Sequence, residues 1–269
     1  MNKSAIIIGV ITLVLFGACR DYESVAYTQP VEVEKYDGTF LEYLSDSTKT
    51  FSDCLKYRFL FNQKYDSMLV IINAVPGLKE QLEKDDEYFT VFAVPNECFE
   101  YSFDQLNTYR EQKKQGKALF LKELLIEPFD VEIEIPNKDD PENPIIEIRH
   151  YDYRACVDTL LCRYIFTGKY DTKKIIEAQE SLSLESYKYK YQMNVSCTRQ
   201  TASGIVGEGV RSFTLSDMNN SQLKDLWKST NVVWHDIYTR NAVIHLLTNQ
   251  HNFGYDKFIN YFKDYGNEK

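Results

Sequence analysis

The sequence predicts an α+β fold in which helices come first and strands are mixed in later. Apolar residues recur at helical spacing in residues 38–62 and 66–84. Residues 89–94 then form a short, mostly apolar stretch of the kind found in buried strands. Further along the chain, apolar and polar residues alternate, which is typical of strands with one covered face. Together these patterns predict helices packed on a sheet.

Length and composition allow one large domain or two small ones, with a sizeable core. The chain has 269 residues, of which 43% are hydrophobic and 26% are charged, an ordinary balance for a globular protein. The formal net charge is −9. Because a negative surface repels phosphate backbones, we expect no nucleic-acid partner.

The N-terminus predicts a lipoprotein signal. One basic residue precedes an apolar run of 12 residues, Ala5–Phe16, which fits a signal-peptide core and is too short to span a bilayer. Two small residues then precede Cys19, an ending that resembles the bacterial lipobox. We therefore expect residues 1–18 to be removed and Cys19 to be lipidated. The alternative is a plain signal peptide with a chance cysteine.

Residues 19–37 predict a polar tether from the lipid to the folded body. Acidic residues just after Cys19, Asp21 and Glu23, resemble the surface-export signal of Bacteroides-type bacteria, although a merely polar linker is the alternative. We expect a lipid-anchored protein of the outer membrane that faces the cell exterior. An acidic body gains nothing from anionic headgroups, so its membrane attachment depends on the lipid.

The first half of the chain predicts helices and one sharp corner. Residues 38–62 predict two helices, and residues 66–84 predict a helix that ends at Pro76-Gly77 before a short second piece. In the stretch FTVFAVPNECF, Pro95 has no backbone N–H to donate to a neighbouring strand, so we expect the strand to end there. Asn96 is the expected N-cap of the next helix, which continues through Phe99, Phe103 and Leu106.

An insertion at about residues 126–155 predicts a β-hairpin. Apolar residues alternate with polar ones on both sides of the acidic stretch PNKDDPENP. The acidic residues in this stretch do not have the spacing of an EF-hand, so we expect a solvated loop and no calcium site.

Residues 186–195, SYKYKYQMNV, alternate strictly and predict a strand. Tyr187, Tyr189 and Tyr191 would then lie on one face of it. Exposed aromatic rings can stack on sugars or on protein partners, so these tyrosines are the candidate binding residues. The alternative is that this face is half-buried in the sheet.

Cysteine and histidine patterns predict neither a metal site nor catalysis. Five cysteines remain besides Cys19, an odd number that cannot all pair: Cys54, Cys98, Cys156, Cys162 and Cys197. No CxxC or zinc-type spacing is present, so we expect buried free thiols, with one disulfide as the alternative.

The sequence contains no HExxH, GxSxG, GxGxxG or GxxxxGK[ST] pattern. His245 lies in an apolar run and is expected to be a core histidine with a satisfied hydrogen bond. His235 and Asp236 are neighbours in a predicted strand, so they are expected to point to opposite faces and form no dyad. We expect no enzyme activity, no cofactor and no catalytic residue. An unrecognised hydrolase would need a cleft with convergent ionisable groups.

Three segments resemble, in order, the fasciclin-like domain, an adhesion module found from bacteria to animals. They are residues 68–99, 160–176 and 232–247. The matching positions are Thr90, Val91, Phe92, Ala93, Asn96, Glu97, Phe99, Tyr164, Gly168, Tyr170, Asp236, Ile237, Asn241, Val243, Ile244, His245 and Leu246. Ile165 departs from the family, which usually has a histidine there, so the receptor-binding role of the Tyr-His pair in animal members is not carried over.

The resemblance implies one expanded fasciclin-like domain, residues 38–265. Its core would be a bent β-sheet or sandwich with helices packed on one side and the hairpin inserted. The implied role is adhesion to an extracellular protein or polysaccharide by a surface lipoprotein of a Bacteroides-type bacterium. The alternative is an accessory glycan-binding lipoprotein of an outer-membrane polysaccharide-uptake system.

Overall fold

A seven-stranded sheet and a separate two-stranded hairpin contain the strands of the described chain. The computed structural model describes residues 34–46, 63–84, 86–138, 140, 143–199 and 211–266. The strands are β1 (Phe89–Ala93), β2 (Phe129–Ile135), β3 (Ile145–Tyr151), β4 (Ile165–Thr167), β5 (Ser181–Glu185), β6 (Gln192–Arg199), β7 (Arg211–Asp217), β8 (Lys228–Tyr238) and β9 (Ala242–Leu247).

The described residues also form eight α-helices. They are α1 (Phe40–Ser45), α2 (Asp66–Ala74), α3 (Leu78–Leu82), α4 (Asn96–Gln112), α5 (Leu121–Leu124), α6 (Tyr153–Leu161), α7 (Thr172–Glu177) and α8 (Lys257–Phe262), with short 3₁₀ turns at Cys162–Tyr164 and Lys224–Leu226. Helices α2, α4, α6 and α8 pack on one another, whereas α7 packs against β5 and β6. The predicted α+β class is confirmed.

The large sheet is bent until its two edges meet. Its strand order is β4-β1-β9-β8-β7-β6-β5. β1 and β9 pair in parallel, and the other neighbours are antiparallel. The backbone N–H of Tyr187, just after edge strand β5, donates a hydrogen bond of 2.8 Å to the carbonyl of Ile165 in the opposite edge strand β4. The sheet is therefore nearly closed, which leaves little of either edge open.

The core lies where β1 and β9 meet the helices. Every residue of β1 and β9 is buried, as expected for central strands covered on both faces. The apolar face of α4 reaches this core through two aromatic pairs. Phe99 lies 4.3 Å from Phe253 and Phe103 lies 5.0 Å from Phe258, measured between ring centroids. The helix predicted after Pro95 is thus confirmed.

Asn96 caps a helix other than the one predicted. Pro95 is the N-cap of α4, and α4 has no side-chain cap. Asn96 Oδ1 instead accepts from the backbone N–H of Ser67 at 2.9 Å, and Asn96 Nδ2 donates to Asp66 Oδ2 at 3.1 Å. The prediction was wrong because α2 has no side-chain cap of its own, and its first amides need an acceptor.

The folded unit already includes the last residues of the predicted tether. Lys35 pairs with Tyr238, and the N–H of Tyr36 donates to the Tyr238 carbonyl at 2.8 Å. Residues 35–269 form one compact unit that contains the whole described core, so we expect this part to fold without residues 1–34. The signal peptide, Cys19, Cys54 and the second helix predicted within residues 38–62 lie outside the described residues. Within them, no helix is long and apolar enough to cross a bilayer.

Candidate functional site

The candidate tyrosines lie in a turn and not in a strand. β5 ends at Glu185 and β6 begins at Gln192, so residues 186–191 connect them; we call this connection the tyrosine loop. Lys190 has a φ of +56°, a left-handed conformation that strands do not contain. The prediction that the three tyrosines share one strand face is therefore wrong. Alternation indicates a strand when one of the two residue types is buried along a face. Neither the tyrosines nor the lysines are buried in this way, so their alternation does not distinguish a strand from a turn.

Tyr187 anchors the loop to the body of the protein. Its hydroxyl donates to Gln81 Oε1 at 2.7 Å, and its ring lies edge-on to Phe89 with centroids 5.6 Å apart. Its backbone closes the sheet, as described above. Tyr187 is thus half-buried and structural, which was the alternative interpretation of the tyrosine pattern.

A buried carboxylate holds the middle of the loop. Asp158 of α6 is 2% exposed, and its Oδ2 accepts from the Tyr189 hydroxyl at 2.6 Å. The same oxygen is paired with the Lys188 ammonium, and Oδ1 accepts from Cys162 Sγ at 3.3 Å. Burial, and then the hydrogen bond to Asp158, raise the pKa of Tyr189. The phenol therefore stays protonated as a donor, and the buried charge is compensated.

A second buried ion pair supports the end of the loop. Arg163 Nη1 lies 2.8 Å from Asp217 Oδ2, and the two side chains are 4% and 3% exposed. The Arg163 guanidinium stacks on the Tyr191 ring, 3.7 Å from its centroid. Cation–π contacts are strongest where water is excluded, so this contact fixes the plane of the ring.

The supported loop presents neighbouring aromatic rings. The centroids of Tyr189 and Tyr191 are 6.0 Å apart, and both side chains are half-buried. Tyr261 of α8 lies beside them and, after burial, is the main cause that raises the pKa of Tyr191. Rings held in this way lose little conformational entropy when they bind a flat ligand. Sequence reasoning missed Asp158, Arg163, Asp217 and Tyr261, although the charged residues inside VDTLLCRYIF were a usable signal.

His245 and His251 are core histidines. His245 Nε2 lies 3.0 Å from the Tyr170 carbonyl, and its Nδ1 accepts from the N–H of Asp236 at 3.3 Å. Burial lowers the pKa of His245 to about 4 and that of His251 to about 3. His251 Nε2 lies 2.6 Å from the Tyr164 hydroxyl. The prediction of a satisfied core histidine at position 245 is confirmed.

His235 and Asp236 contact each other, contrary to the prediction. A bulge shifts the register of β8 between Trp234 and Ile237, and Asp236 adopts a φ of +61°. This bulge removes the alternation on which the prediction rested. His235 Nδ1 consequently lies 3.1 Å from Asp236 Oδ2 and 3.0 Å from Thr172 Oγ1.

This Thr-His-Asp group does not have the geometry of a catalytic triad. In a triad, one imidazole nitrogen faces the nucleophile and the other faces the carboxylate. Here the Thr172 hydroxyl and the Asp236 carboxylate both contact Nδ1 of His235. Burial raises the pKa of Asp236, but the hydrogen bond from His235, the nearby His245 and the N–H of Thr172 outweigh it and lower the pKa to about 2. Asp236 therefore serves to hold the start of α7.

The described cysteines are free thiols: Cys98, Cys156, Cys162 and Cys197. Burial raises the pKa of the Cys98 thiol to about 12, so it holds no thiolate at neutral pH. No group of three or more His, Cys, Asp or Glu side chains in the described residues is arranged to hold a metal ion. An open cavity of about 730 Å³ lies at the C-terminal end of α4 and mixes Asp104 and Glu111 with Arg110, Lys114 and Lys117. Arg110 there binds the carbonyls of Lys263 and Tyr265.

The three segments that match the fasciclin-like pattern meet in neighbouring strands. Val91 of β1 lies between Ile165 of β4 and Ile244 of β9, and β9 pairs on its other side with β8. Residues more than 70 positions apart in the chain thus share one register. The match positions lie on β1, on β8, β9 and the turn between them, in the first turn of α4, and on either side of β4.

Comparison with known proteins gives a distant structural likeness. No family model matches the chain, and no curated protein matches it. Among solved structures, the chain is similar to a FAS1 domain pair from the insect cell adhesion molecule fasciclin I, with a TM-score of 0.42 and 14% identity. The match covers 82% of this chain and 52% of that chain, so this chain spans about half the length of the pair.

Proposed function

We propose that this chain is a lipid-anchored binding protein of the bacterial cell surface, built on one fasciclin-like domain and acting in adhesion without catalysis. The observation that carries the proposal is the meeting of three fasciclin-like segments on β4, β1, β9 and β8 in one register. Segments that match a family only by chance have no reason to be neighbours in the fold. Adhesion follows from the family by analogy.

The ionisable groups favour binding over catalysis. The hydroxyl of Thr172 contacts the same histidine nitrogen as the carboxylate of Asp236, so it lacks a separate base. Burial raises the pKa of each thiol that the structure describes, so none of them is an activated thiolate: Cys98, Cys156, Cys162 and Cys197. Asp158, Arg163 and Asp217 are all buried in pairs that hold the tyrosine loop.

The anchor is tested by labelling cells with an alkyne fatty acid. We expect the wild-type chain to take up the label and the Cys19→Ser variant to lose it and leave the membrane fraction. Protease added to intact cells should degrade the wild-type chain if it faces the exterior. A labelled Cys19→Ser chain would contradict lipidation at this cysteine, and full protection from protease would place the chain on the inner side of the membrane.

Adhesion is tested with beads coated with residues 20–269. The compact unit Lys35–Lys269 contains the core that the structure describes, so we expect residues 20–269 to fold on their own. We expect the coated beads to adhere to a surface of extracellular protein or polysaccharide under flow, and beads coated with heat-denatured chain to detach. Equal detachment of both kinds of bead from every surface would overturn the adhesion proposal.

A glycan-binding role is the second candidate, and the supported rings of Tyr189 and Tyr191 favour it. Flat aromatic faces beside the exposed Lys190 suit acidic sugars, in an uptake system or at the cell surface. The test is retention of residues 20–269 on polysaccharide gels. We expect Tyr189→Ala/Tyr191→Ala to lose retention and the matched pair Tyr101→Ala/Tyr109→Ala on α4 to keep it. Equal retention of both variants, or none of the wild type, would reject this role and leave protein adhesion.

A further inference from the structure

The hairpin formed by β2 and β3 has a face on which an acidic row lies beside an apolar row. The strand register places Glu134 opposite Ile146, Glu132 opposite Ile148 and Asp130 opposite His150. Directly opposed residues of an antiparallel pair point to the same face, with Cβ atoms about 5 Å apart. We call these six residues the acid-isoleucine face.

The acid-isoleucine face is open to solvent. Ile146 and Ile148 are 51% and 65% exposed, and the acidic residues along β2 are exposed as well. Asp130 is paired with His150 at 2.8 Å. Glu132 and Glu134 form no ion pair with any residue that the structure describes.

The opposite face of the hairpin is more covered. Its β2 residues are half-buried: Phe129, Val131, Ile133 and Ile135. Phe129 stacks on Tyr151, and Glu147 is paired with Arg149 at 2.8 Å. The hairpin therefore has one partly covered face, and the acid-isoleucine face is the one turned to solvent.

Stability of the hairpin does not explain the exposed isoleucines. β2 and β3 pair with each other in a sheet of their own, and an isolated two-stranded hairpin is marginal in water. Exposed apolar residues rimmed by charge mark interaction surfaces. Seven acidic and two basic residues lie between Phe129 and Tyr151, so this stretch holds more than half of the net charge of −9.

We propose that the acid-isoleucine face docks a segment of a partner protein that carries a basic row beside an apolar row, as a cationic amphipathic helix does. Its apolar stripe would cover Ile146 and Ile148, and its Lys or Arg side chains would lie over Glu132 and Glu134. The spacing fits, because alternate residues of a strand are about 6.8 Å apart and helix residues i and i+4 about 6 Å. Anionic membranes and nucleic acids are repelled by the same carboxylates.

This surface is separate from the tyrosine loop, so the inference stands whether or not the glycan role holds. The probe is a synthetic helical peptide of about 18 residues, or five turns, with a Leu stripe flanked by Lys. Its fluorescence anisotropy is followed as residues 20–269 are added, at low and at high salt. A peptide with Glu in place of every Lys is the charge control.

Two variants remove the two rows separately: Ile146→Ser/Ile148→Ser and Glu132→Gln/Glu134→Gln. Matched controls change equally exposed residues elsewhere, Leu223→Ser/Leu226→Ser and Glu80→Gln/Glu100→Gln. We expect each hairpin variant to weaken binding about tenfold and each control to change it less than twofold. The acidic variant should also lose most of the salt dependence.

Three outcomes would overturn the proposal. The first is no binding of the Lys peptide, and the second is equal affinity for the wild type and both hairpin variants. The third is self-association of residues 20–269 in sedimentation that Ile146→Ser/Ile148→Ser abolishes, because the occupant would then be a second copy of the chain. Circular dichroism of every variant establishes that a loss of binding is not a loss of fold.

Discussion

At the scale of single residues, Asp158 connects the core to the tyrosine loop. It is a carboxylate in the interior, and its partners on the loop are the Tyr189 hydroxyl and the Lys188 ammonium. Buried carboxylates are tolerated only with such partners, so the loop and the charge depend on each other. The consequence is a surface loop with the order of a core segment.

Replacing Asp158 with Asn should therefore loosen the loop. The uncharged amide leaves Lys188 without its counter-charge, but Lys188 is 38% exposed and can turn to water, so the cost is moderated. We expect the free energy of unfolding to fall by about 1–3 kcal/mol in urea titrations. Trypsin should also cut more rapidly after Lys188 and Lys190.

The control is Asp104→Asn, which changes an exposed aspartate of α4 and should alter stability by less than about 0.5 kcal/mol. If Asp158→Asn unfolds and is cut like the wild type, the carboxylate does not hold the loop.

Gly254 is a residue whose size and backbone angle both matter. Its φ is +71°, and an added Cβ would lie 2.8 Å from Leu160 Cδ2 in the core. Gly254→Ala should lower the free energy of unfolding by about 2–4 kcal/mol, from the left-handed backbone together with overpacking. Gly266 has a φ of +76° but nothing within 4 Å of such a Cβ. Gly266→Ala should lower the free energy of unfolding by about 1 kcal/mol or less. An equal loss of stability at the two sites would show that overpacking against Leu160 does not contribute at Gly254.

At the scale of elements, α2 depends on a side chain from the corner that follows β1. Asn96 accepts from the N–H of Ser67 and donates to Asp66 at the start of α2. Asn96→Ala should therefore cost about 1 kcal/mol, the usual value of a helix cap. Hydrogen exchange should speed up in α2 and not in α4, because α4 has no side-chain cap to lose. Faster exchange at the start of α4 alone would instead show that Asn96 caps α4, as the sequence predicted.

Some elements of the fold could be predicted from local sequence patterns, and others could not. β1, α4 and the β2–β3 hairpin follow from local patterns, because apolar runs and alternation are set within a few residues. The tyrosine loop could not be predicted, since Lys190 turns the chain through a left-handed angle that no neighbour in sequence requires. The contact of His235 with Asp236 depends on a bulge in β8, which arises from pairing with a distant strand.

The candidate surface was predictable only in part for the same reason. Three tyrosines were identified, but the groups that support them come from α6, the 3₁₀ turn Cys162–Tyr164, β7 and α8, which approach the loop only in the folded chain. The backbone of Tyr187 helps to close the sheet, whereas Tyr261 lies beside Tyr191 in the aromatic surface. Long-range packing decides which side chains share a surface, and no periodicity encodes it.

At the scale of the whole molecule, two buried histidines set the response to acid. Burial lowers the pKa of His245 to about 4 and of His251 to about 3, from an ordinary value of 6.5. Below pH 6.5 the unfolded chain therefore binds protons that the folded chain does not. Stability is full above the unfolded pKa, and it falls as the pH drops from 6.5 toward the folded values. Each histidine contributes a slope of at most about 1.4 kcal/mol per pH unit.

We expect urea titrations to give a constant free energy of unfolding above about pH 7 and a steep loss between about pH 6 and about pH 4.5. Asp236 does not explain a loss in this window, because its pKa is lowered to about 2 and its stabilising effect fades only below its unfolded value of 3.8. His251→Gln should remove about half of the slope, whereas His150→Gln at an exposed position should leave it unchanged. The same slope in all three proteins would mean that the buried histidines are not the acid-sensitive groups of the fold.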